Sequence, residues 1–567
     1  MNGCIKKTVL LLGLIFVLAV LWAVPASQAA EEPVFFVSRT GNFDLQAIKL
    51  TYVAGRGNYL FLPGNVRLED LKIGFTGADR MELNGQEMTG TETAQILLAK
   101  NEIRFNRKVS TISFKVMRGS PNLPVLYVST ETGNLTLIQR SKHYKEKGSL
   151  YMEDGNGKVE YNGFLEHVKM RGNASTAYVK RNYQIKLVKG ENLLGFGKAK
   201  KWILTGNWLD RTMLRNQITY DLAAFAGLPY TPECRQVELY VNHEYLGLYL
   251  FSEKVEIQPG RIAISDLEKE TERVNTEPLS GYEQKKEPRT GVPNSKKYYD
   301  IPNDPADITG GYLFEYEFSK DRYNPEPSGV VTNMDIGIVI KSPEYATKKQ
   351  IDYIGALIQG FENAIRAKDG RDPETGKHYS EFIDMDSLVL KYMINEFSQN
   401  YDSNTSSEFF YKPSDSESTV AFAGPVWDMD NTYGVYARKG MEESISSPKG
   451  LFVGNANRGA YWWPNLYKHD DFRQRIRELY RSRFGHGVKV LLGLENDPDG
   501  KLKSVDTYAA EIAESIDMNY VRYPDMKWSK RIINTGTNRE DNLAYLKTFM
   551  EGRTQFLEAE WLKETGE

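Results

Sequence analysis

The chain has 567 residues, of which 41% are hydrophobic and 12% aromatic, and a formal net charge of −3. This length is enough for about three to four domain-sized units with large apolar cores. The mildly acidic balance argues against a general nucleic-acid-binding protein, because such proteins normally carry a basic face.

The first 30 residues have the pattern of an export signal. Lys6 and Lys7 precede an apolar run at 9–24, and a small-residue segment follows at 25–30. We predict that residues 1–30 are removed, which changes the net charge to −5 and leaves Cys234 as the single cysteine. The mature protein is then exported, lacks a membrane segment and forms no intrachain disulfide. An uncleaved anchor is the alternative.

Residues 31–120 are predicted to form a small all-β accessory domain. Short alternating runs at 47–53, 58–62 and 109–116 are separated by Gly, Pro and Asn, which is typical of a sandwich or barrel. Nothing in this part indicates catalytic chemistry.

Residues 121–258 combine strands, a helix and a hairpin. Strand patterns at 165–170 and 182–188 precede a helical periodicity at 210–226. A hairpin then joins the strands 237–241 and 245–250.

The following 259–309 segment is polar and Pro-rich, and we predict a surface insert or loop there.

From residue 310 onward the pattern becomes helical. A strand at 310–317 comes first, and the sequence then predicts helices at 348–367, 386–400, 472–484, 505–516 and 542–565. The predicted fold class is therefore α+β, with a β-rich front, a mixed middle and a helical back.

Three aspartates carry the strongest chemical signal. An apolar run at 420–423 predicts a strand that leads to Asp428 and Asp430, which share one face if the strand continues. Asp402 lies in a polar turn after a predicted helix. Mg²⁺ favours one or two carboxylates plus substrate phosphates, and phosphoryl transfer adds a carboxylate that accepts a hydroxyl proton. The alternatives are an Asx-type turn at 402–404 and a β-turn at 430–431.

A glycine-bearing polar loop at 171–176 precedes two lysines, Lys180 and Lys186. Lys186 lies within a predicted strand, where its point charge suits phosphate oxygens. An ordinary solvated strand face is the alternative. The six histidines have no metal-ligand spacing, which disfavours zinc, and no P-loop sequence is present.

Several segments occur in an order that is typical of one protein family. They are RGNAS at 171–175, YQIKL at 183–187, KWIL at 201–204, LRN at 214–216, VELYVNHEYLGLY at 237–249, GGYLFE at 310–315 and GPVWDMD at 424–430. With these segments the chain resembles the CotH kinase family, a group of atypical protein kinases named for a spore-coat protein. The resemblance covers about residues 123–553 and excludes the front β-domain.

The resemblance implies an atypical protein-kinase-like bilobal fold, with a β-rich N-lobe at 121–258 and a helical C-lobe at 310–567. It implies an enzyme that uses ATP and Mg²⁺ to phosphorylate Ser or Thr of a protein substrate on the cell surface or spore coat. Neither the partner's identity nor the oligomeric state follows from the sequence.

The resemblance also assigns roles to individual residues. Asp402 would accept the substrate hydroxyl proton, and Lys186 would contact the nucleotide phosphates. The residues expected at the cofactor are Arg171, Asn173, Lys180 and Lys186, together with Glu253 and Lys254, whose backbone would meet adenine where a kinase connects its lobes. The residues expected at the metal are Asp428, Asp430 and Asn404.

Two departures from the family pattern stand out. The predicted helix 210–226 has no obvious glutamate to pair with Lys186, and it offers Asp210 and Asp221 instead. A metal-binding asparagine of many relatives is absent before the strand 409–411, where Asn404, Ser407 or Glu408 are the candidates.

These departures leave other functions open. A nucleotide-binding pseudokinase is one, and a carbohydrate- or metal-binding structural module is another. Exposure of Trp462 and Trp463 would fit the second, but core packing is the favoured prediction for this pair. A glycosidase that uses Asp402 with Asp428 is a third.

Overall fold

The computed structural model describes residues 32–108, 110–317, 320–437, 439–455, 462–524 and 531–563, except for the side chains of Lys320 and Asn404. The predicted export signal at 1–30 lies outside the described residues. Within the described part of the chain, no helix combines the length and apolar character needed to cross a membrane. The fold is mixed α+β, which confirms the predicted class at that level.

Short strands form the N-terminal part, as the alternating runs predict. The strands are β1 (Val34–Ser38), β2 (Ile48–Lys49), β3 (Thr51–Val53), β4 (Gly57–Leu62), β5 (Lys72–Thr76), β6 (Met81–Leu83), β7 (Gln86–Glu87), β8 (Lys100–Phe105) and β9 (Ile112–Arg118). They form a three-stranded sheet, β2-β1-β5, and a six-stranded sheet, β3-β4-β9-β8-β6-β7. In β8, Asn101, Ile103 and Phe105 are buried and the residues between them are exposed, so one face packs on the core.

A closed barrel follows the front sheets. Its elements are β10 (Val125–Thr130), α1 (Leu135–Ile138), β11 (Glu146–Glu153), β12 (Val159–Arg171), β13 (Asn182–Asn192), β14 (Lys198–Thr205), α2 (Arg215–Phe225), β15 (Cys234–Val241) and β16 (Glu244–Glu253). The strand order is β10-β11-β12-β13-β14-β16-β15. Trp202, Tyr249 and Phe251 are among the buried side chains that fill the interior. The predicted hairpin is confirmed as β15 and β16.

A second large sheet and two long helices come next. The elements are α3 (Leu267–Arg273), β17 (Gln284–Arg289), β18 (Val292–Tyr299), β19 (Tyr312–Tyr316), α4 (Lys320–Tyr323), β20 (Ser328–Val331), β21 (Gly337–Ser342), α5 (Lys348–Arg366), α6 (Met385–Ser398), β22 (Glu408–Lys412) and β23 (Phe422–Ala423). The sheet order is β17-β18-β20-β21-β19-β22-β23. Thr347 and Gln350 form a capping box at the start of α5, which confirms that predicted helix.

The segment 259–309, predicted as a surface insert or loop, contains regular secondary structure that the sequence pattern does not indicate. This segment contains α3 and the hairpin β17–β18, and β18 pairs with β20. Most side chains of the hairpin are at least partly in water, so it lacks the apolar alternation by which strands are recognised. Lys297 is buried, and its ammonium group donates to main-chain oxygens, including that of Glu326 at 2.7 Å.

Helices make up most of the C-terminal part, as predicted. They are α7 (Glu442–Ser446), α8 (Trp462–Tyr467), α9 (Asp470–Leu479), α10 (Gly485–Leu491), α11 (Val505–Glu511), α12 (Ala513–Arg522) and α13 (Arg539–Trp561). The predicted helix 505–516 is divided into α11 and α12 at Ile512. Trp462 and Trp463 are only 2% and 3% exposed, so their predicted core packing is confirmed and the alternative of an exposed pair is wrong. Both rings belong to the main core.

Candidate active site

A cavity of about 1580 Å³ lies between one face of the barrel and the sheet and loops that follow. Its walls come from β12 and β13, from β19 and β21, and from the segments after α6 and β23. Of the residues predicted from the sequence, those that line it are Arg171, Asn173, Lys186, Lys254, Asp402, Asp428 and Asp430. Residues more than 250 positions apart in the chain therefore meet at one site.

Asp402 lies in a 3₁₀ turn, Tyr401–Asn404, directly after α6. The Asn400 side chain accepts the Asp402 N–H at 3.0 Å, so Asn400 rather than Asp402 makes the Asx-type bond of this turn. The Asp402 carboxylate accepts from Asn431 Nδ2 at 2.8 Å and from Thr405 Oγ1 at 3.1 Å. Removal from water and the charge of Asp428 raise the Asp402 pKa to about 6.

The expectation that Asp428 and Asp430 share the face of a continuing strand is wrong. Strand β23 ends at Ala423, and Pro425, which has no N–H to donate to a ladder, follows. Asp428 has a left-handed backbone with φ of 60°, and a turn at Asp430 and Asn431 follows, as the alternative interpretation predicts.

Helix α2 holds this aspartate segment in place. Tyr220 Oη accepts the Asp428 N–H at 3.1 Å, and Asn216 Oδ1 accepts the Met429 N–H at 2.6 Å. Arg215 Nε donates to the Thr432 carbonyl at 3.1 Å, and Arg215 is itself paired with Asp210. Helix α2 therefore fixes the backbone of residues 428–432, which we call the aspartate loop. The sequence pattern of the helix does not indicate this role.

The predicted helix start at Asp210 is five residues too early. The Asp210 carboxylate accepts the N–H groups of Thr212 and Arg215, both at 2.8 Å, so it caps a turn that precedes α2. Asp221 accepts from Tyr508 Oη at 2.6 Å. Neither acid pairs with Lys186.

The negative charge of Asp428 raises the pKa values of Asp402 and Asp430. Removal from water is the largest cause of the raised Asp428 pKa, and Arg171 opposes it. The Asp430 pKa is raised by burial and then by the charges of Asp428, Asp210 and Asp402. A divalent cation would relieve this repulsion, and oxygen donors are what Mg²⁺ prefers. Among the described residues, no three His, Cys, Asp or Glu side chains are grouped closely enough to hold a metal alone.

The other candidate metal residues differ in placement. Ser407 lines the cavity, and its hydroxyl donates to Asp428 Oδ2 at 3.4 Å. Glu408 is buried, accepts from Asn395 Nδ2 at 3.0 Å and does not line the cavity. The side chain of Asn404 lies outside the described part of the structure.

The barrel presents a cationic face to the cavity. His167, Lys186 and Lys201 lie opposite one another on β12, β13 and β14, and their side chains share the outer face. Lys169 and Arg171 continue this face along β12. Burial and then the neighbouring charges of Lys145, Lys254, Arg171 and Lys201 lower the Lys169 pKa.

Only some of these cations have counter-ions. Glu166 pairs with Lys186 at 2.6 Å, and a β-bulge between Leu165 and His167 directs Glu166 to that side. Sequence patterns do not predict such a bulge, so the sequence alone does not identify Glu166. Glu256 pairs with Lys201 at 3.0 Å and with Lys254 at 3.1 Å.

Lys169 and Arg171 are uncompensated in the sense that no carboxylate of the described chain forms an ion pair with them, although the charge of Asp428 acts on Arg171 from beyond ion-pair distance. Among the described residues, neither forms an ion pair within 4.0 Å. The Arg171 guanidinium lies 5.3 Å from the centre of the Trp427 ring. Uncompensated cations on a half-buried face are suited to an anionic ligand.

Two predicted cofactor residues are not at the cavity. Lys180 is 0% exposed, and its ammonium group donates to the Leu248 carbonyl beside the Tyr249 ring. Lys180 lies before the first residue of β13. The alternation of side chains along this strand, which directs Lys186 out of the barrel, therefore does not apply to Lys180. Glu253 pairs with Arg261 and accepts the Glu233 N–H at 3.0 Å. The Lys180 side chain is therefore not available to a ligand in the cavity, and the Glu253 side chain is engaged in structural contacts.

A family model described as CotH kinase protein matches residues 168–557. The match covers more than half of the chain and includes every residue that lines the cavity except Lys142 and His143. No curated protein matches the chain in a sequence comparison.

Proposed function

Because the chain belongs to the CotH kinase protein family, we propose that it is an exported, Mg²⁺/ATP-dependent protein kinase. Its proposed targets are Ser or Thr hydroxyls of proteins on the cell surface or spore coat. Residues 121–258 would correspond to the N-lobe and 310–567 to the C-lobe of a kinase-like bilobal fold. Residues 31–120 would be an accessory domain.

One observation carries this proposal: uncompensated cations and repelling carboxylates line the same cavity. Lys169 and Arg171 are on one wall, and Asp402, Asp428 and Asp430 line the same space. A triphosphate chain with a bound Mg²⁺ carries both kinds of charge, so it would neutralise both groups at once.

The proposed roles combine what the family resemblance implies with the positions of the residues in the cavity. Asp402 would accept the hydroxyl proton as the substrate oxygen bonds to the terminal phosphorus and the bond from that phosphorus to the bridging oxygen breaks. A pKa of about 6 leaves Asp402 ionised near neutral pH, as a base must be. Asp428 and Asp430 would hold Mg²⁺, which supplies charge neutralisation for the phosphates. Arg171, Lys169 and Lys186 would orient the nucleotide.

The test is phosphate transfer from labelled ATP by the mature chain, with and without Mg²⁺. We expect autophosphorylation or transfer to a Ser/Thr-containing protein in the presence of Mg²⁺ and a loss of more than about 100-fold in Asp428→Asn. The matched control is Asp499→Asn, because Asp499 is exposed and does not line the cavity. Wild-type incorporation in Asp428→Asn would show that the metal assignment is wrong.

A pseudokinase is the second candidate, and one observation favours it. No described group of three metal-ligating side chains is close enough to bind a metal without the nucleotide. A pseudokinase would bind the nucleotide without transferring phosphate. Nucleotide-dependent thermal stabilisation without incorporation of label would support it.

A further inference from the structure

Asn431 follows the aspartate pair directly and connects it to Asp402. Its Nδ2 donates to Asp402 Oδ2 at 2.8 Å, and the residue lines the cavity while being only 6% exposed. The amide is therefore fixed to the proposed base and lines the same cavity as the proposed metal carboxylates.

The other polar atom of this amide is unsatisfied. Asn431 Oδ1 is buried and has no hydrogen-bond partner among the described residues. Leaving a buried acceptor without a partner costs about 1–3 kcal/mol. An asparagine at this position carries that cost unless a ligand supplies the missing contact.

The geometry points to Asn431 Oδ1 as an oxygen ligand for the divalent cation that Asp428 and Asp430 would bind. This inference rests on the proposed function and deepens it. An amide oxygen is a hard, neutral donor, and it adds a ligand without adding a fourth negative charge to three carboxylates that already repel one another. It would also supply the carboxamide that the family pattern places near 404–408.

The same amide would couple the cation to the base. With Oδ1 on the cation, Nδ2 stays directed at Asp402, so one side chain fixes the position of the carboxylate relative to the metal. Asn431 is in this second respect a positioning residue.

The experiment measures Mn²⁺ binding to the mature chain by electron paramagnetic resonance, in the presence of a non-hydrolysable ATP analogue. We expect Asn431→Ala to weaken Mn²⁺ binding by about tenfold or more. Asn431→Gln, which moves the oxygen by one methylene, should weaken it as well. Asn431→Asp keeps an oxygen donor and should retain Mn²⁺ binding while losing phosphate transfer, because the N–H to Asp402 is gone.

The matched control is Thr432→Val in the same turn. Thr432 is buried, its hydroxyl donates to the Met429 carbonyl at 2.6 Å, and it does not line the cavity. It should bind Mn²⁺ like the wild type. If Asn431→Ala and Asn431→Gln bind Mn²⁺ as tightly as the wild type, or if Thr432→Val is equally weakened, the ligand role is overturned while the proposed kinase stands. If the wild type itself binds no Mn²⁺ with the nucleotide, the proposed function fails and the ligand with it.

Discussion

Lys169 differs from Lys186, Lys201 and Lys254 because no carboxylate pairs with it within the described part of the chain. Lys186, the residue that the sequence favours, already has Glu166 at 2.6 Å. A phosphate that approaches Lys186 competes with Glu166, whereas one that approaches Lys169 relieves repulsion among cations. The burial and the unpaired charge of Lys169 therefore indicate a phosphate contact that the spacing of residues in the sequence does not indicate.

We therefore expect Lys169→Ala to weaken ATP binding. A hydrogen bond to a charged group contributes about 1.5–3 kcal/mol, which corresponds to about 10- to 100-fold in the dissociation constant. Isothermal titration calorimetry with Mg²⁺ and a non-hydrolysable ATP analogue measures the dissociation constant. Lys189→Ala is the control, because Lys189 is exposed on β13 and does not line the cavity. Equal dissociation constants for the two variants would contradict the assignment.

At the scale of elements, α2 connects the barrel to the aspartate loop. Its side chains bond to the loop backbone at three positions, through Tyr220 to Asp428, Asn216 to Met429 and Arg215 to Thr432. Asp428 has an unfavourable left-handed backbone, so these bonds hold a conformation that the loop would not keep alone.

Tyr220→Phe tests this function of α2. The change removes the acceptor for the Asp428 N–H and should lower stability by about 1 kcal/mol. Displacement of the carboxylate should lower kcat by up to about 100-fold, since about 1 Å of misplacement has that effect. Thermal unfolding and labelled-ATP kinetics measure the two effects. Tyr161→Phe is the control, because its hydroxyl makes a surface bond to the Phe164 carbonyl. A normal kcat in a destabilised Tyr220→Phe would refute the positioning role.

The sequence predicts those elements whose apolar pattern faces a core. Helix α5 is predictable because its buried face follows a regular period, and the β15–β16 hairpin because two apolar runs flank a short turn. The β17–β18 hairpin is not, since few of its side chains are buried. The candidate site can be located from its aspartates, but the turn at Asp428 and the partner Glu166 depend on tertiary contacts that local spacing does not indicate.

At the scale of the whole molecule, the front sheets are joined to the barrel and to α12. The hydrophobic core of the front part includes Tyr240 and Tyr245 of the barrel and Met518 of α12. The Ser120 N–H donates to Ser515 Oγ at 2.8 Å, so the end of the front part is tied to a C-terminal helix. The core of the front part therefore continues into the barrel and α12.

Glu238 lies at the centre of this junction. Ser515 Oγ donates to its Oε1, and a Cβ added to Gly119 would lie 1.9 Å from the same oxygen. Glu238 is fully buried, and burial raises its pKa to about 8, although Ser515 and Tyr240 lower it. The carboxyl group is therefore neutral in the folded protein over most of the physiological pH range.

Glu238 should make the stability of the whole chain depend on pH. Its pKa is about 8 in the folded chain, against 4.5 for a glutamate in water, so the folded chain binds the extra proton. The stabilisation is complete below about pH 4.5 and is lost as the pH rises through about 8. The glutamine of Glu238→Gln is neutral at every pH, so this variant should not lose that stabilisation. The difference between its midpoint temperature of unfolding and that of the wild type should therefore increase from about pH 5 to about pH 9.

Calorimetric melts of both proteins across that pH range measure the difference. The control is Glu102→Gln, because Glu102 is exposed on β8 in the same front part, and its midpoint should follow that of the wild type at every pH. Parallel midpoints for wild type and Glu238→Gln would mean that Glu238 is ionised in the folded chain. In that case the Glu238 carboxylate would be a buried charge packed against Gly119 of the front part and Ser515 of α12.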